Sequence, residues 1–206
     1  MGKKEQIMKH AEEFLNSLSR QCISHCGKRF SAVELPVFKK FLNYRVKREL
    51  EFYRLCLEHA VLLHEAGTKL TAQDIDEILE ESISIDKKLL RDIRFLPLRI
   101  EYDYNRILPL RRKRTELQLK LFYRLLEANS SEDFSQMVKE VFTKQQYLDI
   151  NNDIVELYTE EAFIINSSIK SIIKIDSEVL AHNMFCSMLD VGFKLNREFS
   201  KRLFNN

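Results

Sequence analysis

The chain has 206 residues, which is enough for one helical domain with a sizeable core. Its 33 basic and 31 acidic residues leave a formal net charge of only +2, so the composition does not indicate a general polyanion binder. Only four glycines and three prolines are present, and so few turn-forming residues argue against a fold built from sheets. We therefore predict an all-α protein, a bundle of about five to seven long amphipathic helices that are mostly antiparallel neighbours, folded as a single domain over residues 1–206.

The sequence carries no pattern typical of a secretory signal or a membrane span. Residues 1–13 are charged and amphipathic. Charged residues interrupt every apolar stretch before it reaches the roughly 18 residues that a membrane span needs. The four cysteines are too few and too unevenly spaced for a disulfide framework. These features predict a cytoplasmic protein without a membrane span.

Two helices are predicted at the start of the chain. The first spans about residues 3–25, because apolar residues recur every three or four positions, and Gly27 is expected to end it in a left-handed conformation. The second has Pro36 in its first turn and runs to about Ala66. Over residues 55–63 it is apolar around nearly its whole circumference, which predicts burial on most sides, either inside the bundle or in an oligomer interface. On this basis we expect a homodimer, with the second or the C-terminal helix at its interface.

The start of the third helix has the clearest local signal. Thr71 suits the N-cap and Asp74 follows three residues later, a variant of the capping box. The helix is expected to end near Phe95, since a proline two positions later disfavours helix in the residue before it. A fourth helix is predicted over residues 98–128, with a kink at Pro109.

The C-terminal part of the chain is predicted to hold three further helices. Residues 129–131 should form a turn and an N-cap, followed by a short helix around residues 134–142. We predict a weak point in the helical pattern at Asn151 and Asn152. Two long helices follow that meet near residues 176–177, and a single continuous helix is an equal alternative.

Cysteine and histidine side chains form the first candidate site. Cys22 and Cys26 are one turn apart on the first helix, and Cys56 and His59 share a face of the second. A short connection joins the two helices, so the four residues are a Cys₃His set of the kind that suits tetrahedral zinc. The alternative is that the cysteines fill the core, since cysteine is among the most buried residue types.

Basic side chains form the second candidate site. Arg99, Tyr102 and Arg106 lie at helical spacing and are predicted to form a small pocket for a phosphate or carboxylate. The basic run at residues 111–114 is different, because four consecutive helical residues point about 100° apart and cannot all face one duplex. We interpret that run as a solvated helix segment and predict no nucleic-acid binding.

No pattern typical of a common enzyme is present. The chain lacks a glycine-rich phosphate loop, a nucleophile elbow and the paired Glu-x-x-His motifs of di-iron bundles. The sequence therefore favours a non-enzymatic helical bundle, an interaction or regulatory module that acts through contacts with itself or with another protein. The alternative is a bundle that binds a small ligand or a metal, using either the zinc set or the anion pocket.

Overall fold

The computed structural model describes residues 1–92, 104–168 and 177–205. Within these residues the chain is helical, with no strand, and no helix is long and apolar enough to cross a membrane. The described helices, in chain order, are α1 (Lys3–Cys26), α2 (Glu34–Ala66), α3 (Ala72–Asp92), α4 (Tyr104–Glu127), α5 (Phe134–Val141), α6 (Lys144–Ser168) and α7 (Ser177–Phe204). The predicted all-α bundle is confirmed.

The predicted start of α3 agrees with the structure, whereas the predicted start of α5 and the predicted end of α1 differ from it. The N-cap of α3 is as predicted, because the Thr71 N–H donates to Oδ2 of Asp74 at 2.7 Å and the Asp74 N–H donates to the Thr71 hydroxyl at 3.3 Å. Helix α5 is instead capped by Asp133, which accepts from the backbone N–H of Ser135 at 2.9 Å, so the cap predicted at residues 129–131 was placed too early. Gly27 has φ −55° and is right-handed, which makes the predicted left-handed end of α1 wrong.

The weak point predicted at Asn151 and Asn152 is wrong, because α6 runs through both residues. Their amides are used in the bundle: Asn151 donates to the carbonyl of Tyr147 at 2.8 Å, and Asn152 accepts from the Asn196 amide of α7 at 2.7 Å. The predicted end near Phe95 and the predicted junction near residues 176–177 involve residues outside the described ranges.

Helix α2 lies centrally and packs against α1, α3 and α4, while α6 packs against α4 and α7. Most neighbours that are adjacent in the chain run antiparallel: Lys4 of α1 pairs with Glu58 near the end of α2. Residues 55–57 and Ala60 are at most 6% exposed, so helices of the same chain cover the apolar segment of α2. Val61 and Leu63 are only half-buried, and Leu62 is 63% exposed. The homodimer stays a prediction, but this segment no longer supports it.

Candidate functional site

Seven charged side chains are buried together where α2, α3, α4 and α6 meet. We call this group the arginine–carboxylate network, and no member is more than 5% exposed: Arg45, Arg48, Glu49, Asp86, Arg111, Arg114 and Glu161. Charged side chains are almost never buried to this degree unless they are paired. The network is therefore the part of the described interior where charge decides the energetics.

Helical spacing brings the members of the network to one place. Arg45, Arg48 and Glu49 lie three and four positions apart on α2 and share its inward face. Arg111 and Arg114 lie three positions apart on α4 and share a face in the same way. Two helices thus supply five of the seven charges.

The interpretation of residues 111–114 as a solvated helix segment is wrong for two of the four residues. Arg111 and Arg114 are 5% and 2% exposed and point into the bundle. Arg112 and Lys113 are exposed, and Arg112 pairs with Asp76 of α3. The run splits in this way because consecutive helical residues point in different directions.

Glu161 lies at the centre of the arginine–carboxylate network. Its Oε1 accepts from Nη2 of Arg48 and, at 2.6 Å, from Nε of Arg111, and its Oε2 accepts from Nη1 of Arg114 at 2.8 Å. Burial alone would raise the pKa of this carboxyl, but the surrounding guanidinium groups outweigh it and hold the pKa well below its usual range. Asp86 is shared in the same manner, since its Oδ1 lies 2.7 Å from Nε of Arg48 and its Oδ2 accepts from Nη2 of Arg111.

Aromatic rings complete the surroundings of the remaining charges. Glu49 accepts from Nη2 of Arg114 and lies 3.6 Å from Nη2 of Arg45. The guanidinium carbon of Arg114 is 4.4 Å from the centre of the Phe52 ring, and that of Arg45 is 4.5 Å from the centre of the Tyr158 ring. Contacts over ring faces stabilise guanidinium groups that are removed from water.

Within the described side chains of the network, positive charges outnumber negative charges, and some hydrogen-bond donors have no acceptor. It contains four guanidinium groups and three carboxylates, an excess of one positive charge. Nη1 of Arg111 and Nε of Arg114 are buried and have no hydrogen-bond acceptor among the described residues. A buried donor left without an acceptor costs about 1–3 kcal/mol, and more when the group is charged.

A small cavity is lined by the two arginines that carry these donors. Its volume is about 10 Å³, and its walls include Arg48, Asp86, Arg111 and Arg114 of the network together with Ser82. This is room for roughly one body of the size of a water molecule. We call it the network cavity.

Cys22 and Cys56, two members of the predicted zinc set, lie in different parts of the core. Cys22 is fully buried in the cluster around the start of α2, and Cys56 is fully buried in the other main cluster. Lys4 lies 3.3 Å from Glu58, which aligns the start of α1 with the end of α2. Cys22 follows Lys4 by 18 positions, roughly 27 Å along a helix at 1.5 Å per residue. The antiparallel pairing of the two helices therefore separates these cysteines.

The other two members of that set do not restore a metal site. His59 lies 3.9 Å from Glu77 of α3, and the side chain of Cys26 lies outside the described part. The part of the chain that the structure describes holds no group of three or more His, Cys, Asp or Glu residues placed to bind a metal ion. Zinc binding stays a prediction without geometric support.

The predicted anion pocket falls largely outside the described ranges. Arg99 and Tyr102 belong to residues that the structure does not describe, and Arg106 is exposed in the first turn of α4. That pocket stays a prediction. The buried guanidinium groups of the arginine–carboxylate network were not predicted.

Comparison of the chain with protein-family models, with curated proteins and with solved structures gives no match.

Proposed function

We propose that this protein is a non-enzymatic helical bundle that binds a small anion at the arginine–carboxylate network. The observation that carries the proposal is that Arg111 and Arg114 line the network cavity and that Nη1 of Arg111 and Nε of Arg114 are buried without an acceptor among the described residues. An anion there would accept hydrogen bonds from both and would offset the excess positive charge of the described network. Charge-assisted hydrogen bonds from guanidinium groups are among the strong ones in proteins.

Anion binding at this place would act on the packing of the bundle. The network joins α2, α3, α4 and α6, and α3 contributes only Asp86 to it. A ligand that binds the folded state stabilises it by mass action, so the anion concentration would set how firmly these helices are held together. In this proposal, the regulatory role predicted from the sequence is a change in the stability of the bundle in response to an anion.

The interaction module predicted from the sequence has less support. Most of its apolar segment on α2 is covered by helices of the same chain, and the large hydrophobic residues exposed in the described ranges, Met1, Val33 and Leu62, lie on separate parts of the chain. We keep a cytoplasmic location as part of the proposal. The thiols of Cys56 and Cys186 support it, because both are free and such thiols are typical of a reducing compartment.

Thermal unfolding in a series of sodium salts at constant ionic strength tests the proposal. We expect at least one small anion to raise the melting temperature along a saturable curve. Arg111→Lys keeps the charge but removes the planar donor group, so it should weaken the response. Arg112→Lys, at the exposed neighbouring position, is the matched control and should leave it unchanged. If no anion acts in a saturable way, the network serves only to hold the fold and the proposal fails.

A further inference from the structure

We infer that the bound anion is monatomic, a halide such as chloride held in the network cavity; this inference rests on the function proposed above. The volume of the cavity carries it. About 10 Å³ accommodates roughly one water-sized body. A carboxylate has three heavy atoms and a phosphate has five, so either needs more space than this volume provides. A single halide ion is larger than a water molecule but smaller than either of these groups, so it requires less displacement of the cavity walls.

The charge of a halide matches the imbalance of the network. The described side chains leave an excess of one positive charge, and one halide supplies one negative charge. A dianionic phosphate would replace that excess with a negative one in an environment of low dielectric, where uncompensated charge is costly. Charge and size therefore favour the same class of ligand.

The walls of the network cavity determine which groups can hold the ion. The hydroxyl of Ser82 donates to the carbonyl of Leu79 at 2.8 Å, so its proton is already engaged. Oδ1 of Asp86 is paired with Arg48 and its Oδ2 accepts a hydrogen bond from Arg111, which reduces the repulsion that this carboxylate would exert on an anion. We assign Nη1 of Arg111 and Nε of Arg114 as the donors that hold the ion, because both are buried and have no acceptor among the described residues. The site therefore selects an anion by its size and by its ability to accept hydrogen bonds from arginine side chains.

An anion series distinguishes this inference from the proposed function. Sodium gluconate, whose anion is too large for the cavity, keeps the ionic strength constant while chloride, bromide, acetate or phosphate is titrated. We expect chloride and bromide to raise the melting temperature along saturable curves, and acetate and phosphate to match gluconate. Stabilisation by acetate or phosphate at least equal to that by chloride would overturn the halide and leave the anion-binding function standing. No response to any of the four would overturn both.

Two substitutions on α3, neither of which changes a charge, test whether the ion binds in the network cavity. Ser82→Val adds volume to the wall of the cavity and should weaken the halide response about tenfold or more in half-saturating concentration. Ser84→Val, at an exposed position two residues along α3, is the matched control and should respond like the parent protein. Bromide-soaked crystals provide a second readout, with an anomalous peak expected within hydrogen-bond distance of Arg111 and Arg114. A halide response that is equal in both variants, or a peak elsewhere, would contradict the assignment.

Discussion

Nη1 of Arg114 on α4 donates a hydrogen bond to Oε2 of Glu161 on α6 over 2.8 Å, and neither side chain is more than 3% exposed. Removal of two such charges from water is costly, and their mutual attraction offsets that cost only while both are present. The loss of one partner therefore has a larger effect than the loss of an ion pair at the surface. Substitutions of buried charges should therefore lower the free energy of unfolding more than substitutions of exposed charges, and this difference can be measured.

Glu161→Gln should strongly destabilise the fold. The substitution keeps the size of the side chain but removes the charge that Arg48, Arg111 and Arg114 share, and breaking a buried ion pair from one side typically costs about 3–5 kcal/mol. Glu160→Gln, at the exposed neighbouring position, should change stability by no more than about 0.5 kcal/mol. Urea denaturation of both variants measures the difference. Equal losses in the two would show that the buried network contributes nothing beyond surface charge.

Stability should rise with pH between about 4 and 6.5 because of His10. This side chain stacks on Phe134 with 3.9 Å between ring centres, its Nε2 lies 3.3 Å from the hydroxyl of Tyr147, and burial lowers its pKa from 6.5 to about 4. In this range the unfolded chain binds a proton that the folded chain does not. The contribution is therefore complete above pH 6.5 and is lost as the pH falls towards 4, by at most about 3 kcal/mol.

Urea denaturation at pH 4.5 and pH 7 checks this dependence. We expect His10→Gln to reduce the difference in unfolding free energy between the two pH values. His25→Gln, which changes an exposed histidine on the same helix, should retain the full difference. The assignment to His10 is wrong if both variants keep it.

The helices were largely predictable because their signals are local. Thr71 and Asp74 are three residues apart and identify the start of α3 without reference to the rest of the fold. The failure at Asn152 has the opposite cause, since its partner, Asn196, lies 44 positions away on α7. A polar residue that looks like a helix breaker in isolation is satisfied by a neighbouring helix.

The arginine–carboxylate network was missed although part of its signal is in the sequence. The apolar stripe of α2 includes charged residues at the same spacing: Phe38, Phe41, Leu42, Arg45, Arg48, Glu49, Phe52 and Cys56. A charged residue on an inward stripe indicates a buried partner, but periodicity cannot identify that partner. Arg48 and Glu161 are 113 positions apart, and only the packing of α2 against its neighbours brings them together.

The two buried cysteines should contribute to stability independently. Cys22 and Cys56 occupy separate core clusters, so Cys22→Ser and Cys56→Ser each bury a hydroxyl, at about 1–3 kcal/mol, and their effects should add to within about 0.5 kcal/mol. A chelator should leave the melting temperature unchanged. Stoichiometric zinc in the purified protein, lost in both single variants, would restore the zinc set predicted from the sequence.

Gly192 and Val155 provide a test of how closely α6 and α7 pack. A Cβ atom at position 192 would overlap Cγ1 of Val155, a buried and stiff β-branched side chain that cannot turn aside freely. Gly192→Ala should therefore destabilise the fold by about 1–3 kcal/mol through overpacking, even though alanine is favoured over glycine within a helix by about 1 kcal/mol.

The sign of this effect should reverse once Val155 is shortened. In a Val155→Ala background the obstructing methyl group is absent, so Gly192→Ala should become neutral or stabilising by up to about 1 kcal/mol. The double-mutant cycle, measured by urea denaturation, should then give an interaction energy of about 1–4 kcal/mol between the two positions. Overpacking predicts this reversal, whereas a loss of backbone flexibility at position 192 would change stability equally in both backgrounds. An equal cost in the two backgrounds would therefore show that the close approach of α6 to α7 at this point is not what requires glycine.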